Sequence, residues 1–185
     1  MTETKKSPNQ ILKLTLVLFL VAAITSGVLG FVNLLTRDRI AAQKAAARAA
    51  AYAEVLPIAE GETYDEVDFD ADTYTIVDSI SAASGGEGYV VELSFSGAQS
   101  TITAAVGIDA TGSVSGVSLI SQAETSGLGA KATESVFRDQ YIGSTEHVAL
   151  TKNGGTIQGI SGATITSTAV TGAVNTAMDA VASLG

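Results

Sequence analysis

Thr101–Ile120 reads TITAAVGIDATGSVSGVSLI. Two runs within it, Thr101–Ile108 and Ser113–Ile120, are rich in Thr, Val and Ile, which suit a pleated, half-buried surface. Between them stands Asp109-Ala110-Thr111-Gly112, an acid able to bond the backbone ahead of it followed by a residue free to reverse the chain. The stretch predicts an antiparallel hairpin. Working outward, Thr73–Ile80 and Gly88–Phe95 have the same composition, punctuated by Gly85-Gly86 and Gly97. His147–Thr151 reads as a further short strand and Lys131–Tyr141 as a short helix. From Thr166 to Leu184 the period changes. Ala169, Val170, Ala173, Val174, Ala177, Met178 and Val181 recur at three and four, which makes one apolar helix face. A block of strands with helices beside it gives an α+β fold: an antiparallel sheet with flanking helices.

The N-terminal third is different. Leu14–Val32 runs without a charge, and that length at helical rise nearly matches a bilayer core. Ile11 and Leu12 extend the run, and Lys13 can reach the interface along its aliphatic stem. No small-residue cleavage site followed by a polar start appears, so an uncleaved single-pass anchor over 11–33 is expected, after a tail of residues 1–10. Arg37–Val55 is alanine-rich and continues the helix as a stalk over 34–56, stopping before Pro57. Residues 57–185 then form the folded domain. Glu60–Asp72 is acidic and turn-rich, but lacks the glycine and closing glutamate of a calcium loop, so no metal site is expected.

Charge divides the chain. Residues 1–48 hold seven Lys/Arg against two acids, whereas residues 49–185 hold three (Lys131, Arg138, Lys152) against 17. A domain so negative excludes nucleic acid as a partner. Basic residues flank the apolar run on both sides; the short N-terminal tail and large acidic domain fit an N-terminus in the cytoplasm and the domain on the outer face. There is no cysteine, which excludes disulfides, thiolate metal sites and iron–sulfur clusters held by this chain.

Two loops carry the chemistry. Ser161-Gly162-Ala163-Thr164 stands just before the last helical stretch, where unpaired N–H groups and the positive end of the helix dipole favour an anion. The same residues also suit an ordinary helix cap. The second loop, Glu124-Thr125-Ser126-Gly127-Leu128-Gly129, follows a strand. Its two glycines flank one leucine and can lie against a planar ligand, with Glu124 and Thr125 at the ligand edge. His147 has no acidic partner at triad-like spacing and is read as structural.

Taken together, the N-terminal anchor, the Glu-Thr-x-Gly-Leu-Gly loop and the Ser-Gly-Ala-Thr before a final helix resemble the FMN-binding domain family. Within it the chain is similar to the G subunits of the Rnf ion-translocating ferredoxin:NAD oxidoreductase complexes. The resemblance implies FMN as cofactor, its phosphate esterified to Thr164 by a separate flavin transferase. It makes Ser161, Gly162, Ala163 and Ile165 the residues around the attachment point, with Thr166 the rival hydroxyl. It places Glu124, Thr125, Gly127, Leu128 and Gly129 facing the isoalloxazine, Leu128 on the ring. It implies electron relay within a membrane Rnf complex, with its other subunits, the flavin transferase and membrane lipid as partners. Two departures stand out: Gln158 occupies a place that is usually acidic, and Ser126 one where proline is common. The alternatives are the C-type subunit of the sodium-translocating NADH:quinone reductase, another anchored extracellular flavoprotein, and a pilin-like anchored protein without cofactor.

Overall fold

The hairpin expected at Thr101–Ile120 forms one side of a five-stranded antiparallel sheet whose strands lie in chain order. The computed structural model describes residues 8–184. Its strands are β1 (Tyr64–Val67), β2 (Val77–Ala83), β3 (Gly88–Ser96), β4 (Thr101–Asp109) and β5 (Val114–Ser121). The β4–β5 turn is held by Asp109, whose Oδ1 accepts from the Thr111 amide at 2.8 Å, the Thr111 hydroxyl at 2.6 Å and the Ser113 amide at 3.1 Å. The helices are α1 (Pro8–Val55), α2 (Ser135–Arg138) and α3 (Thr164–Ala182).

Contacts divide the chain between Ala46 and Ala47. In the first unit, every large apolar side chain from Ile11 to Ile40 is exposed. The hydroxyls of Thr25 and Thr36 each donate to the carbonyl four residues back, at 2.9 Å, which lowers the polarity of those two positions. Among the described residues this is the one helix long and apolar enough to cross a membrane.

In the second unit the sheet is covered on both faces, and pleat alternation decides which side chain goes where. Val91, Leu93, Ile102, Ala104, Val106 and Ile108 face α3, which returns Val170, Ala173, Val174 and Ala177. Val90 and Ala105, their neighbours in sequence, point the other way onto Ala51, Tyr52 and Val55 at the end of α1. Burying each Val or Ile contributes about 1.5–3 kcal/mol, so both layers stabilise the unit. The second layer depends on two paired glycines, Gly107 and Gly116. A Cβ at Gly107 would strike the Val55 carbonyl, and one at Gly116 would lie 2.9 Å from Val55 Cα. The Ser115 hydroxyl closes the junction by donating to the Val55 carbonyl at 2.5 Å. Arg48 and Glu92 pair at 2.5 Å, and the Tyr52 hydroxyl donates to Glu92 at 3.0 Å.

Several details differ from the sequence expectations. The strand expected at Thr73–Ile80 starts only at Val77, because Asp70 gathers the amides of Asp72 and Thr73 into a turn. β1 was not foreseen. The helix expected at Lys131–Tyr141 is a single α turn between two 3₁₀ segments, Gly129–Thr133 and Asp139–Tyr141. The strand expected at His147–Thr151 reduces to one parallel bridge between Leu150 and Ile157. His147 does have an acidic partner, Asp179 on α3, at 2.8 Å, brought there by the fold from 32 residues away.

Candidate functional site

α3 begins at Thr164, two residues earlier than its apolar period suggests, and Ala163 is its cap residue. No side chain caps it. The Thr164 hydroxyl is therefore not a cap, and among the described residues it makes no hydrogen bond. Thr164 is exposed, as are Ser161, Gly162 and Ile165, whereas Ala163 is buried. Gly162 has φ +77°, a backbone conformation open to glycine at no steric cost. A hydroxyl thus stands free at a helix N-terminus whose first-turn N–H groups have no side-chain partner, the arrangement that suits a phosphate.

The two loops meet. A Cβ at Gly162 would lie 2.9 Å from Leu128 Cδ2, so the leucine side chain rests on the backbone beside Thr164. Leu128 is 42% exposed and Ile165 64%, so both present apolar surface to solvent. Thr125 and Gly127 are exposed as well, the Thr125 hydroxyl donating to Gln99 Oε1 at 2.8 Å.

Glu124 and Thr166 are buried and bonded to each other. Glu124 is buried, with both oxygens spent inside the protein. Oε1 accepts from the Gln99 amide at 3.0 Å, the Ser100 amide at 3.0 Å and the Ser100 hydroxyl at 3.1 Å. Oε2 accepts from the Ala98 amide at 3.2 Å and the Thr166 hydroxyl at 2.8 Å. Burial pushes this carboxyl upward, but the Gln99 amide, Thr166 hydroxyl and Ser100 donors outweigh it and hold its pKa at about 2. Gly129 is buried against the pair: a Cβ there would lie 2.5 Å from Glu124 Oε2 and 2.8 Å from Thr166 Oγ1. Thr166 has no exposed surface, and its hydroxyl is committed to Glu124. Of the two hydroxyls weighed from sequence, Thr164 is the accessible one.

Two clefts flank the loop that leads to Thr164. One, of about 270 Å³, is lined by Leu150, Thr151, Lys152, Gln158–Gly162 and Thr164. The other, of about 300 Å³, lies between the same loop and the α2 segment, with Lys131, Glu134, Val136, Phe137 and Gln140 opposite Ile160 and Ser161. Gln158 borders both; its amide donates to Gln140 Oε1 at 2.6 Å. Sequence reasoning missed the 97–100 turn, Gln140 and Lys152. The 97–100 turn and Gln140 meet partners 18 or more residues away, and Lys152 stands outside any motif.

Comparison with known proteins identifies the family. Residues 97–179 match the model of the FMN-binding domain, and residues 1–55 that of the RnfG N-terminal region. The chain is 32% identical over 179 residues to the G subunit of the ion-translocating oxidoreductase complex of Methanosarcina acetivorans, covering 94% of this chain and 95% of that one. It is 33% identical over 191 residues to the G subunit of the Na(+)-translocating ferredoxin:NAD(+) oxidoreductase complex of Acetobacterium woodii, covering 89% and 88%. Among solved structures, the C subunit of the Na(+)-translocating NADH-quinone reductase of Parabacteroides distasonis aligns with TM-score 0.46 and 21% identity, over 71% of this chain and 77% of that one. The FMN-binding match decides against the cofactor-free pilin-like alternative. With an apolar N-terminal helix, an α+β head and both loops in place, the chain belongs to the family of G subunits of ion-translocating oxidoreductase complexes and carries an FMN-binding domain.

Proposed function

We propose that this chain is the membrane-anchored flavoprotein subunit of an ion-translocating ferredoxin:NAD oxidoreductase complex, and that it relays electrons through FMN esterified to Thr164. The observation that carries this reading is the free, exposed Thr164 hydroxyl at the uncapped start of α3. The residues fit the group. Ser161, Gly162 and Ala163 leave the backbone open on the N-terminal side, and the first-turn N–H groups are directed where a phosphate would gain from them. Leu128 and Ile165 offer exposed apolar contact to a planar ring, with Thr125 and Gly127 on the same loop. Glu124, Gly129 and Thr166 act beneath that surface, fixing the loop against α3.

FMN, when bound, supplies one- and two-electron chemistry that no side chain here can perform. The chain's own part is to bind, orient and retain it. An ester through the phosphate leaves the ring free and prevents loss of the cofactor from a site open to solvent. Maturation needs a flavin transferase, for which the Gln158–Thr164 segment, exposed at Gln158, Ser161, Gly162 and Thr164, is the surface presented. The α1 helix, spanning the membrane once in contact with lipid, holds the domain beside the other subunits of the complex. The N-terminus is cytoplasmic and the domain lies on the outer face. The chain is thus an electron carrier within a translocase rather than a complete enzyme.

The test is intact mass of the full chain, co-expressed with a flavin transferase, for wild type and Thr164→Val. A gain of about one FMN less water in wild type, absent from the variant, is expected. An adduct that persists in Thr164→Val overturns the assignment, and its absence from wild type overturns the covalent reading.

A further inference from the structure

The domain from residue 49 onward has three basic side chains against 17 acidic ones. Where these three lie is uneven. Arg138 is committed: its Nη1 bonds Glu54 Oε1 at 2.9 Å and the Val117 carbonyl at 2.8 Å, and its Nε bonds the Thr133 carbonyl at 2.9 Å. The other two, Lys131 and Lys152, pair with no carboxylate among the described residues, and they border the two clefts on either side of the Gln158–Ser161 loop. Their clefts differ. The one holding Lys131 also holds Glu134. The one holding Lys152 has no acidic side chain in its lining, Gln158 contributing a neutral amide, and it is the one that contains Thr164.

Lys152 is also carried on a turn built into the fold. It sits in the 3₁₀ segment Thr151–Asn153, closed by Gly154 at φ +85°. That turn is fastened to the strand-like segment leading to Thr164: the Thr151 amide donates to the Ile157 carbonyl at 2.9 Å, and the Ile157 amide to the Ala149 carbonyl at 3.1 Å. Leu150 and Ile157, both buried, anchor the two sides. Lys152 and Thr164 thus border one cleft, on segments joined by these two backbone hydrogen bonds.

We infer that Lys152 is the charge partner of a phosphate monoester or diester in the Thr164 cleft, a positioning residue that seats the phosphate of FMN before and after attachment. The inference rests on the reading of Thr164 as the flavin site. An anion entering a domain of this net charge is repelled at long range, so one unpaired ammonium in a cleft free of carboxylates selects where it settles.

The test separates the phosphate seat from the covalent step. The full chain, made without flavin transferase and purified in detergent, is titrated with FMN and with riboflavin, which lacks the phosphate, and binding is followed by quenching of flavin fluorescence. Wild type is expected to favour FMN by about fivefold, the upper end for a solvent-exposed charge pair, and to lose that preference at high salt. Lys152→Met removes the preference, Lys152→Arg keeps it, and Lys131→Met keeps it. Equal or absent binding of the two flavins by wild type, a preference undiminished in Lys152→Met, or a loss as large in Lys131→Met each overturns the inference. Failure of the Thr164 ester shows itself separately, as a missing mass adduct when transferase is present.

Discussion

Replacing Glu124 with glutamine tests how the two loops are held together. The carboxylate accepts from three backbone amides of the 98–100 turn and from two hydroxyls, one of them on α3. Glutamine keeps Oε1 as an acceptor but sets an N–H₂ group against the Ala98 amide, a donor facing a donor, while the Thr166 hydroxyl can turn to accept. The pKa of Glu124 is lowered from 4.5 to about 2. At about 1.4 kcal/mol per unit this sets a ceiling near 3 kcal/mol, and screening at a turn close to solvent reduces it to about 2 kcal/mol. Because the folded-state pKa is depressed, this stability is fully present above the unfolded value of 4.5 and is lost as the pH falls toward 2. The assay is urea unfolding of the full chain in detergent, followed by tyrosine fluorescence. With a slope of about 1–3 kcal/mol per molar urea, the midpoint of Glu124→Gln should fall by about 1 M at neutral pH. The gap to wild type should narrow steadily below about pH 4.5. A gap that is absent at neutral pH, or constant down to about pH 3, refutes the account of Glu124 as a charged staple.

Two further substitutions probe its surroundings. Thr166→Val removes the buried donor to Glu124 and should cost about 1–2 kcal/mol while leaving the flavin adduct intact in the mass spectrum; loss of the adduct from a folded variant would move the attachment point away from Thr164. Gly107→Ala places a methyl group against the Val55 carbonyl, and should lower the urea midpoint and expose residues 47–62 to protease. Gly116→Ala, whose nearest neighbour is Val55 Cα at 2.9 Å, should do so less, and equal effects would mean that α1 is not seated on this glycine pair.

What the sequence made legible was local. The β4–β5 hairpin was readable because Asp109 and Gly112 sit between two β-rich runs, and α3 because its apolar residues repeat at helical spacing. β1 was hidden because it is a short edge strand carrying Asp65 and Glu66, both exposed, so it shows no apolar alternation. The Lys131–Tyr141 segment has helical composition, but Phe137 and Tyr141 must both reach the core, and the chain tightens on either side of one α turn to bring them there. At the candidate site, Thr164 stood out in the sequence because small residues precede it ahead of a helix, and the structure leaves its hydroxyl exposed. Glu124 was legible as a residue of interest, though its burial was not. Its partners are 24 to 42 residues away in sequence, and only the folded sheet brings them to one carboxylate.

That separation has a consequence for the order of events in the cell. Strands that neighbour each other in sequence also neighbour each other in the sheet, so the hairpins close through local contacts. The surroundings of Thr164 instead gather the 97–100 turn, the 124–129 loop, the 150–157 turn and α3, segments that are far apart in sequence and so are expected to meet late in folding. A flavin transferase that requires these surroundings would modify only finished molecules, and equal labelling of an unfolded chain or of a peptide spanning residues 155–168 would argue against that dependence. On this view a flavin adduct would report a completed fold: a copy whose last helix fails to dock would stay unlabelled and carry no electrons.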